Sequence, residues 1–263
     1  ARRVAPPARP CQSSGAAVGG VRLRRAARAA HTAAMAAAMV AAAGPAAAAE
    51  AWSFRLTPQL WAPSLDAQVD IAGRRTAETD IAVFDELEGV GSLEAELRRG
   101  AFALAGEWTD LDVGEDATAA GVPATIDLDG TLATVFAAWR VVERPPWAAA
   151  ALVGGRYVSL DAEVTASGGR RASTRQSWGD PLVGVAGEAA LTERLTLGAR
   201  ANVGGFGVGS DVTWEARGRL AFRLLDRVSL AAGYRHLDVA YEAGGVVIDL
   251  ALTGPFLALD LTF

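Results

Sequence analysis

Few side chains in this sequence are placed to do chemistry. His236 is the only histidine after residue 50, and it follows Arg235 and precedes Asp238 by two positions. A histidine beside a serine hydroxyl is the arrangement that catalyses acyl transfer. The sequence places no serine beside His236 and has no oxyanion-hole signature. We therefore predict that the chain is not an enzyme, that it has no catalytic residue, and that His236 lies at the end of a strand.

A group of acidic residues is a second candidate site. Its members fall within one stretch of the chain and are Asp110, Asp112, Glu115, Asp116, Asp127 and Asp129. Carboxylates bind Ca²⁺, and through divalent ions they could bridge to lipopolysaccharide phosphates. Their spacing is not that of an EF-hand, and acidic loops are usually solvated. We predict no metal site and no cofactor.

The glycine-rich segment 204–211, GGFGVGSD, invites comparison with nucleotide-binding loops. Its glycines do not have the dinucleotide or P-loop spacing. No helix follows that would present its N-terminal amides to a phosphate. We interpret the segment as a flexible loop between two strands.

Charged residues recur at alternate positions inside apolar segments. The set comprises Glu94, Glu96, Glu107, Arg156, Glu188, Arg200, Arg217, Arg219 and Arg235. Successive side chains of a strand point to opposite faces, so each charge shares a face that its apolar neighbours avoid. We predict a lumen charge network of paired arginine and glutamate that plugs a narrow barrel. The alternative is a narrow porin-like pore whose charged lining selects small solutes.

The elements that must position these charges are β-strands. In segment 93–98, Leu93, Ala95 and Leu97 alternate with Glu94, Glu96 and Arg98, and similar alternation returns along the chain to its end. Strands of about ten residues are suited to crossing a bilayer at a tilt. Tight polar turns are predicted at 98–100, 143–146, 192–194 and 225–227. Longer connections are predicted near 111–124, 164–174, 205–211 and 242–245.

This pattern predicts an all-β fold, a closed antiparallel transmembrane β-barrel of about ten strands within a range of 8–12. It has short periplasmic turns and longer extracellular loops. The count is ten if residues 52–71 form one strand kinked at Pro58 and Pro63, and twelve if they form a hairpin. A secreted sandwich or soluble barrel is the alternative fold. Segment 81–90 breaks the alternation, and we expect a short helix or a simple turn there.

Aromatic residues fall largely near the predicted strand ends, as the interfacial girdles of membrane barrels require. They are Trp52, Trp61, Trp108, Trp147, Tyr157, Trp178, Trp214, Tyr234 and Tyr241.

The first 49 residues differ from the rest of the chain. Arginines at 22–28 precede an alanine-rich apolar stretch that ends in small residues, which is typical of a secretory signal peptide. We predict cleavage near Ala49–Glu50, a barrel over residues 50–263, and a location in the cell outer membrane. Residues 51–263 hold 18 arginines and 29 acidic residues, a difference of −11, which argues against a nucleic-acid partner.

Several short motifs are spread through the body of the chain: FRLTPQLWAPSL at 54–65, GGRY at 154–157, WGDPLVG at 178–184, GGFGVGSDVTW at 204–214, GYRHLDVAY at 233–241, and Gly254-Pro255 followed by the terminal Phe263. With these motifs the chain resembles an uncharacterised family of proteobacterial outer-membrane β-barrel proteins. The alternating Leu257, Leu259, Leu261 and Phe263 also resemble the signal read by the barrel assembly machinery. The resemblance implies that this machinery, outer-membrane lipids and lipopolysaccharide are partners. It implies no activity, and the oligomeric state stays open.

Overall fold

The computed structural model describes residues 51–71, 74–82, 90–119, 122–166, 171–243 and 246–263. Twelve strands run through them: β1 (Ser53–Trp61), β2 (Ser64–Ile71), β3 (Arg74–Ala82), β4 (Val90–Arg99), β5 (Phe102–Ala119), β6 (Val122–Arg144), β7 (Trp147–Ala166), β8 (Arg171–Ala190), β9 (Leu195–Gly205), β10 (Val212–Leu225), β11 (Val228–Ala243) and β12 (Val246–Thr262). Among these residues no helix is long and apolar enough to cross a membrane. The predicted signal peptide and most of segment 81–90 lie outside the described residues.

The twelve strands form a closed antiparallel barrel, which confirms the predicted fold class. The barrel wall has ten strand positions, here called staves, because two of these positions are each made of two shorter strands. β12 pairs with β1 through residues 256–262 and with β2 through residues 246–253. β1 and β2 are thus two halves of one stave, and β3 and β4, which pair with β2 and β1, are the halves of the next. Among the described residues, β3 pairs with β2 alone.

The break in the first stave lies at Ala62-Pro63, one of the two predicted kinks. Proline has no N–H to donate, so it interrupts a ladder that must be paired on both sides. Pro58, the other predicted kink, stays inside β1 opposite Leu93. The indole N–H of Trp61 donates to the Gly254 carbonyl at 3.2 Å across the break.

Both ends of the described chain and four short turns lie at one end of the barrel, here called the turn end. The turns fall where they were predicted, between β4 and β5, β6 and β7, β8 and β9, and β10 and β11. The opposite end, the distal end, differs from the prediction of longer loops. β5 and β6 remain paired as far as Ala119 and Val122, and β11 and β12 as far as Ala243 and Val246.

Loops were predicted where the strands in fact continue, because the apolar side chains move from the outward face to the inward face partway along the strands. On β7 the outward side chains are apolar from Trp147 to Tyr157, and then become Ser159, Asp161 and Glu163. Trp147 and Tyr157 are ten residues apart. At ~3.3 Å per residue and a tilt of about 40°, that spacing corresponds to an apolar belt roughly 25 Å tall.

Six of the nine aromatic residues predicted as girdles border this belt and face outward: Trp52, Trp108, Trp147, Tyr157, Trp214 and Tyr234. The prediction was wrong for Trp61, Trp178 and Tyr241, which point inward and are buried. The rings of Trp178 and Tyr241 stack with centroids 4.2 Å apart. These three lie where the inward face has become the apolar one, so alternation alone assigned them to the wrong side.

The inward face of the distal half is filled by an apolar cluster, here called the distal core. Its large members are Trp61, Leu65, Val90, Leu111, Leu132, Val158, Leu160, Trp178, Leu237, Val239, Tyr241, Ile248, Leu250 and Leu252. Leu237 has no exposed surface. Close packing of this kind leaves little room for water, so the distal half of the lumen is a protein interior.

Candidate functional site: the lumen

A layer of buried charge lies in the lumen on the turn-end side of the distal core. This charge layer consists of four arginines and three glutamates from six strands: Glu94, Glu107, Arg156, Arg200, Glu215, Arg217 and Arg235. Each side chain points inward because it holds the inward parity of its strand. Antiparallel register then brings opposite charges from distant parts of the sequence into contact.

Glu107 on β5 is the most connected carboxylate of the layer. It accepts hydrogen bonds from Arg200 Nη2 at 2.5 Å, Arg235 Nη1 at 2.5 Å and Arg217 Nη1 at 3.3 Å. Glu94 on β4 accepts from Arg200 Nη1 at 3.2 Å and from Arg217. Arg200 and Arg217 therefore each bridge the same two glutamates, so the four side chains form one connected network.

Glu215 and Arg156 form the most deeply buried pair, each 1 % exposed. Arg156 also donates to the hydroxyls of Thr134 at 3.1 Å and Thr213 at 3.3 Å. Glu215 Oε1 lies 3.3 Å from Arg235 Nε, a contact whose geometry does not make a hydrogen bond. The sequence prediction omitted Glu215, although it shares inward parity with Arg217 and Arg219 on β10 and could have been found that way.

The other predicted lumen charges face inward but lie nearer the turn end, outside the charge layer. Glu96 accepts two hydrogen bonds from Arg98, both 3.1 Å long. Arg219 donates to Asp260 at 3.0 Å, and the Thr57 hydroxyl donates to the same carboxylate at 2.8 Å. Glu188 lies 3.7 Å from Arg55. Arg55, Arg98 and Asp260 are further lumen charges that the sequence prediction missed.

A cavity of about 110 Å³ lies between the charge layer and the turn end. We call it the vestibule. Charged side chains line it, together with a floor of small and apolar residues that includes Ala105, Ala150 and Phe136. The charged members are Arg55, Glu94, Glu96, Arg98, Arg140, Glu188, Arg200, Arg217 and Arg219.

A cation–π contact joins the charge layer to the distal core. The guanidinium of Arg235 stacks on the Trp61 ring at 4.5 Å from its centroid. A cation over an aromatic face gains electrostatic energy while keeping its edges free for hydrogen bonds. Arg235 can therefore pair with Glu107 in the charge layer and pack on the Trp61 ring of the distal core.

His236 lies on the outside of the barrel, opposite Thr253 of β12. Its Nδ1 is 2.5 Å from the Thr253 hydroxyl, and its ring lies 4.4 Å from that of Trp214. The sequence showed no neighbouring serine, and the structure supplies a threonine hydroxyl in its place. A histidine packed on the belt-edge Trp214 has the surroundings expected of a girdle residue.

The glycine-rich segment and the WGDP segment meet through Asp180. This buried carboxylate accepts the Ser210 backbone N–H at 2.7 Å and the Trp178 indole N–H at 3.0 Å. A Cβ at Gly209 would lie 2.6 Å from Asp180 Oδ1 and 2.6 Å from the Gly179 carbonyl, so only glycine fits there. Residues 206–211 are thus a loop as predicted, but one tied to the barrel wall.

The acidic group lies largely on the paired strands β5 and β6, not in a loop. Asp110 accepts hydrogen bonds from the Trp108 indole N–H at 3.0 Å and the Thr131 hydroxyl at 3.1 Å. Among the residues that the structure describes, no group of three or more histidine, cysteine or acidic side chains could hold a metal ion. The side chains of Glu115, Asp116 and Asp127 are outside that description.

The predicted assembly signal forms the seam of the barrel. Leu257, Leu259, Leu261 and Phe263 hold the outward parity of β12. Phe263 exchanges backbone hydrogen bonds with Phe54 at 2.8 and 3.2 Å, and their ring centroids are 6.1 Å apart. The last residue therefore takes part in closing the ladder.

No family model and no curated protein matches the chain. Among solved structures, the outer membrane protease OmpT from Escherichia coli is similar, with a TM-score of 0.57 at 8 % identity over 80 % of this chain and 97 % of that chain. The transport unit of the autotransporter AIDA-I from Escherichia coli gives 0.43 at 9 % identity over 84 % and 93 %. The likeness to OmpT shows the fold alone. This chain is an outer-membrane-type β-barrel.

Proposed function

We propose that the chain is an integral outer-membrane β-barrel with a lumen closed to solutes, and that it serves as a structural membrane component. The apolar belt faces lipid, and the turn end, which carries the terminus of β12, faces the periplasm. The distal half then rises above the outer leaflet as a rigid extension with a polar exterior. The Arg and Glu side chains of the lumen hold the staves together from inside.

One observation carries this proposal: the distal core fills the lumen. Trp61, Val158, Leu237 and Leu252 are each at most 2 % exposed and come from different staves. A water-filled channel lined by such residues would leave them solvated. Below them the charge layer pairs its arginines and glutamates with each other, so each of its charges has an opposite charge beside it without permeating ions.

The alternative is a narrow porin-like channel, which the vestibule favours because it reaches partway into the lumen. Electrical recording separates the two. The protein, extracted in detergent, is inserted into a planar bilayer, with heat-shifted gel mobility as the control for folding and a general porin as the control for insertion. We expect folded protein without unitary currents. Steady unitary currents that change in Arg200→Gln or Glu188→Gln would replace the closed lumen with a pore.

The location has its own test. We expect the full chain, expressed in a Gram-negative host, to sediment with outer membranes and to begin near Glu50 after cleavage. Sucrose-density fractionation and N-terminal sequencing of the mature protein measure both. Recovery in the cytoplasmic membrane with residues 1–49 attached would contradict the proposal.

The barrel assembly machinery is the proposed partner of the β12 seam. Loss of the Phe263 side chain removes the ring contact with Phe54 and the terminal aromatic of the signal. We expect Phe263→Ala to lower the amount of heat-modifiable protein in outer membranes, with Phe206→Ala in the distal loop as the control. Equal amounts in both variants would argue against a role of the terminal residue.

Outer-membrane lipids cover the belt in this proposal, and lipopolysaccharide meets the distal exterior. The described outward side chains there are mostly acidic, among them Asp129, Asp161 and Asp249. Lipopolysaccharide phosphates would therefore need divalent cations between themselves and this wall. We expect Mg²⁺ to raise the unfolding temperature in lipopolysaccharide-containing membranes, and chelation to reverse the rise.

A lipid-modifying activity is the distant candidate, and the His236–Thr253 pair is the observation that favours it. We expect no release of fatty acid from phospholipid or lipopolysaccharide, in the wild type or in Thr253→Val. Release by the folded wild type that is lost in both His236→Ala and Thr253→Val would make the chain an enzyme.

A further inference from the structure

The vestibule wall carries more positive than negative charge. Six arginines and three glutamates line it. With the residues that ion pairs link to the wall, the total is eight arginines, adding Arg156 and Arg235, against seven acids, adding Glu107, Glu143, Glu215 and Asp260. Glu107 and Glu215 belong to the charge layer and do not line the cavity. Arginines therefore make up most of the charged surface of the cavity itself.

Two of the three carboxylates of the wall are committed to arginines. Glu94 accepts from Arg200 and Arg217, and Glu96 accepts two donors from Arg98. Glu188 Oε1 lies 3.7 Å from Arg55 Nη1, which is longer than a hydrogen bond. Arg55 is therefore paired with Glu188 by charge but keeps its hydrogen-bond donors.

Two arginines of the cavity wall, Arg200 and Arg55, differ in their exposure. The side chain of Arg200 is only 10 % exposed; its Nη1 and Nη2 donate to Glu94 and Glu107, and its Nε is buried. One face of its guanidinium packs over Phe136 at 5.3 Å, so the group is held in place. Arg55 is 31 % exposed and contributes a guanidinium whose five N–H donors are available to a ligand.

We infer that the vestibule binds a small oxyanion, such as phosphate, sulfate or a carboxylate, that enters from the turn end. Guanidinium groups match the spacing of paired oxyanion oxygens and form charge-assisted hydrogen bonds with them. The cavity of about 110 Å³ far exceeds the ~10–15 Å³ needed for one water. Arg140 and Glu188 lie near the short turns, which leaves the cavity mouth open to solvent at that end.

The oxyanion completes the wall: it supplies acceptors to Arg55 and lowers the excess positive charge of the wall. The inference does not depend on whether the barrel conducts. A channel with this site would show anion block, and a closed barrel with this site would bind silently. Failure of the closed-lumen proposal and failure of the oxyanion site are thus separate results.

The test is calorimetric titration of inorganic phosphate into the detergent-extracted protein, with sulfate as a second probe and chloride at equal ionic strength as the blank. We expect one saturable site for phosphate, competed by sulfate and absent for chloride. Loss of one charge-assisted contact in Arg55→Gln should weaken the dissociation constant about tenfold or more. Arg175→Gln removes an arginine from the distal exterior and should leave the constant unchanged.

Equal heats for phosphate and chloride, or equal weakening in Arg55→Gln and Arg175→Gln, would overturn the inference, since either result means diffuse charge and not a site. If Arg55→Gln does not fold, phosphorus-31 line broadening with the wild type decides. Broadening that sulfate reverses and chloride does not supports the site. Broadening insensitive to sulfate overturns it.

Discussion

Arg235 and Leu237 are inward neighbours on β11, two residues apart, yet they belong to opposite kinds of interior. Arg235 lies in the charge layer, where every buried group needs a partner of opposite charge. Leu237 lies in the distal core, where any apolar neighbour of the right size suffices. The change in the interior, from charged to apolar, coincides with a change in the outward side chains at the same level of the barrel. Beside the apolar belt the outward residues are apolar and the interior holds the buried charges together with an apolar patch around Phe136 and Leu152. Beyond the belt the exterior is polar and the interior is apolar.

The comparison teaches that the barrel is stabilised by two different mechanisms along its axis. The distal core gains stability from apolar surface removed from water, which is not directional. The charge layer offsets the cost of burying ions through specific pairings, which fail when one member is lost. The two halves should therefore respond differently to single and paired substitutions.

The largest expected effect is in the charge layer. Glu215→Gln keeps the shape of the side chain but leaves Arg156 and Arg235 without that carboxylate. Removal of one partner of a buried ion pair costs about 3–5 kcal/mol. Urea unfolding of the detergent-extracted protein, followed by gel mobility, measures the loss. Glu193→Gln, in the turn between β8 and β9, is the control and should be nearly neutral.

A paired substitution sharpens the same point. Arg156→Met combined with Glu215→Leu removes one charge of each sign and puts apolar volume in their place. Replacement of a whole buried pair is often neutral or stabilising, so the double variant should recover most of the loss seen in Glu215→Gln. A double variant as unstable as the single one would mean that the layer acts through shape and not through charge pairing.

The distal core gives the next effect. Leu237→Ala removes a side chain with no exposed surface and should cost about 2–5 kcal/mol, since the site cannot collapse fully. Leu230→Ala on the same strand makes the same chemical change on the outward face, where Leu230 is 48 % exposed. Its loss should be clearly smaller. Equal losses would show that Leu237 does not lie in a packed interior.

A smaller effect is expected where the distal loop is tied to the wall. Asp180→Ala removes the acceptor of the Ser210 N–H and the Trp178 indole N–H, and a buried donor left unpaired costs about 1–3 kcal/mol, which water entering at the loop partly offsets. Protease cleavage in residues 206–211 should rise as well. Asp211→Ala, exposed in the same loop, is the matched control. Unchanged cleavage in Asp180→Ala would contradict the anchoring role.

The smallest effect lies on the distal exterior. Arg175 donates two hydrogen bonds to Asp161, at 2.5 and 2.7 Å, and the hydrogen bond holds the pKa of Asp161 below its usual value of 3.8. A lowered folded-state pKa means that the pair stabilises the fold above pH 3.8, and that this stabilisation is lost as the pH falls through the folded-state pKa. Asp161→Asn should thus have a slightly lower unfolding temperature than wild type at pH 7 and the same unfolding temperature in strong acid. A difference in unfolding temperature that persists in acid would rule out the ionisation of Asp161 as its cause.

The turns, the ten staves and the outward belt could be predicted from the sequence because a strand has only one periodicity. Alternation in segments such as 147–157 is a local property, and the turn residues between strands are local as well. The inward position of Glu94, Glu107 and Arg200 followed from the same parity. The distal strands could not be predicted, because the apolar face changes sides near Tyr157 and the run of outward apolar residues ends there.

The sequence by itself determined which residues of a strand share a face, since side-chain direction alternates with position whatever the neighbouring strand is. Only the tertiary structure decided which charges meet. Glu107 and Arg235 are 128 positions apart, and their contact depends on the stagger of the staves and the narrowness of the barrel. Register and closure also decided that Trp61 became the aromatic cover of a buried arginine and not part of a girdle, because the bilayer boundary crosses each strand at a different residue.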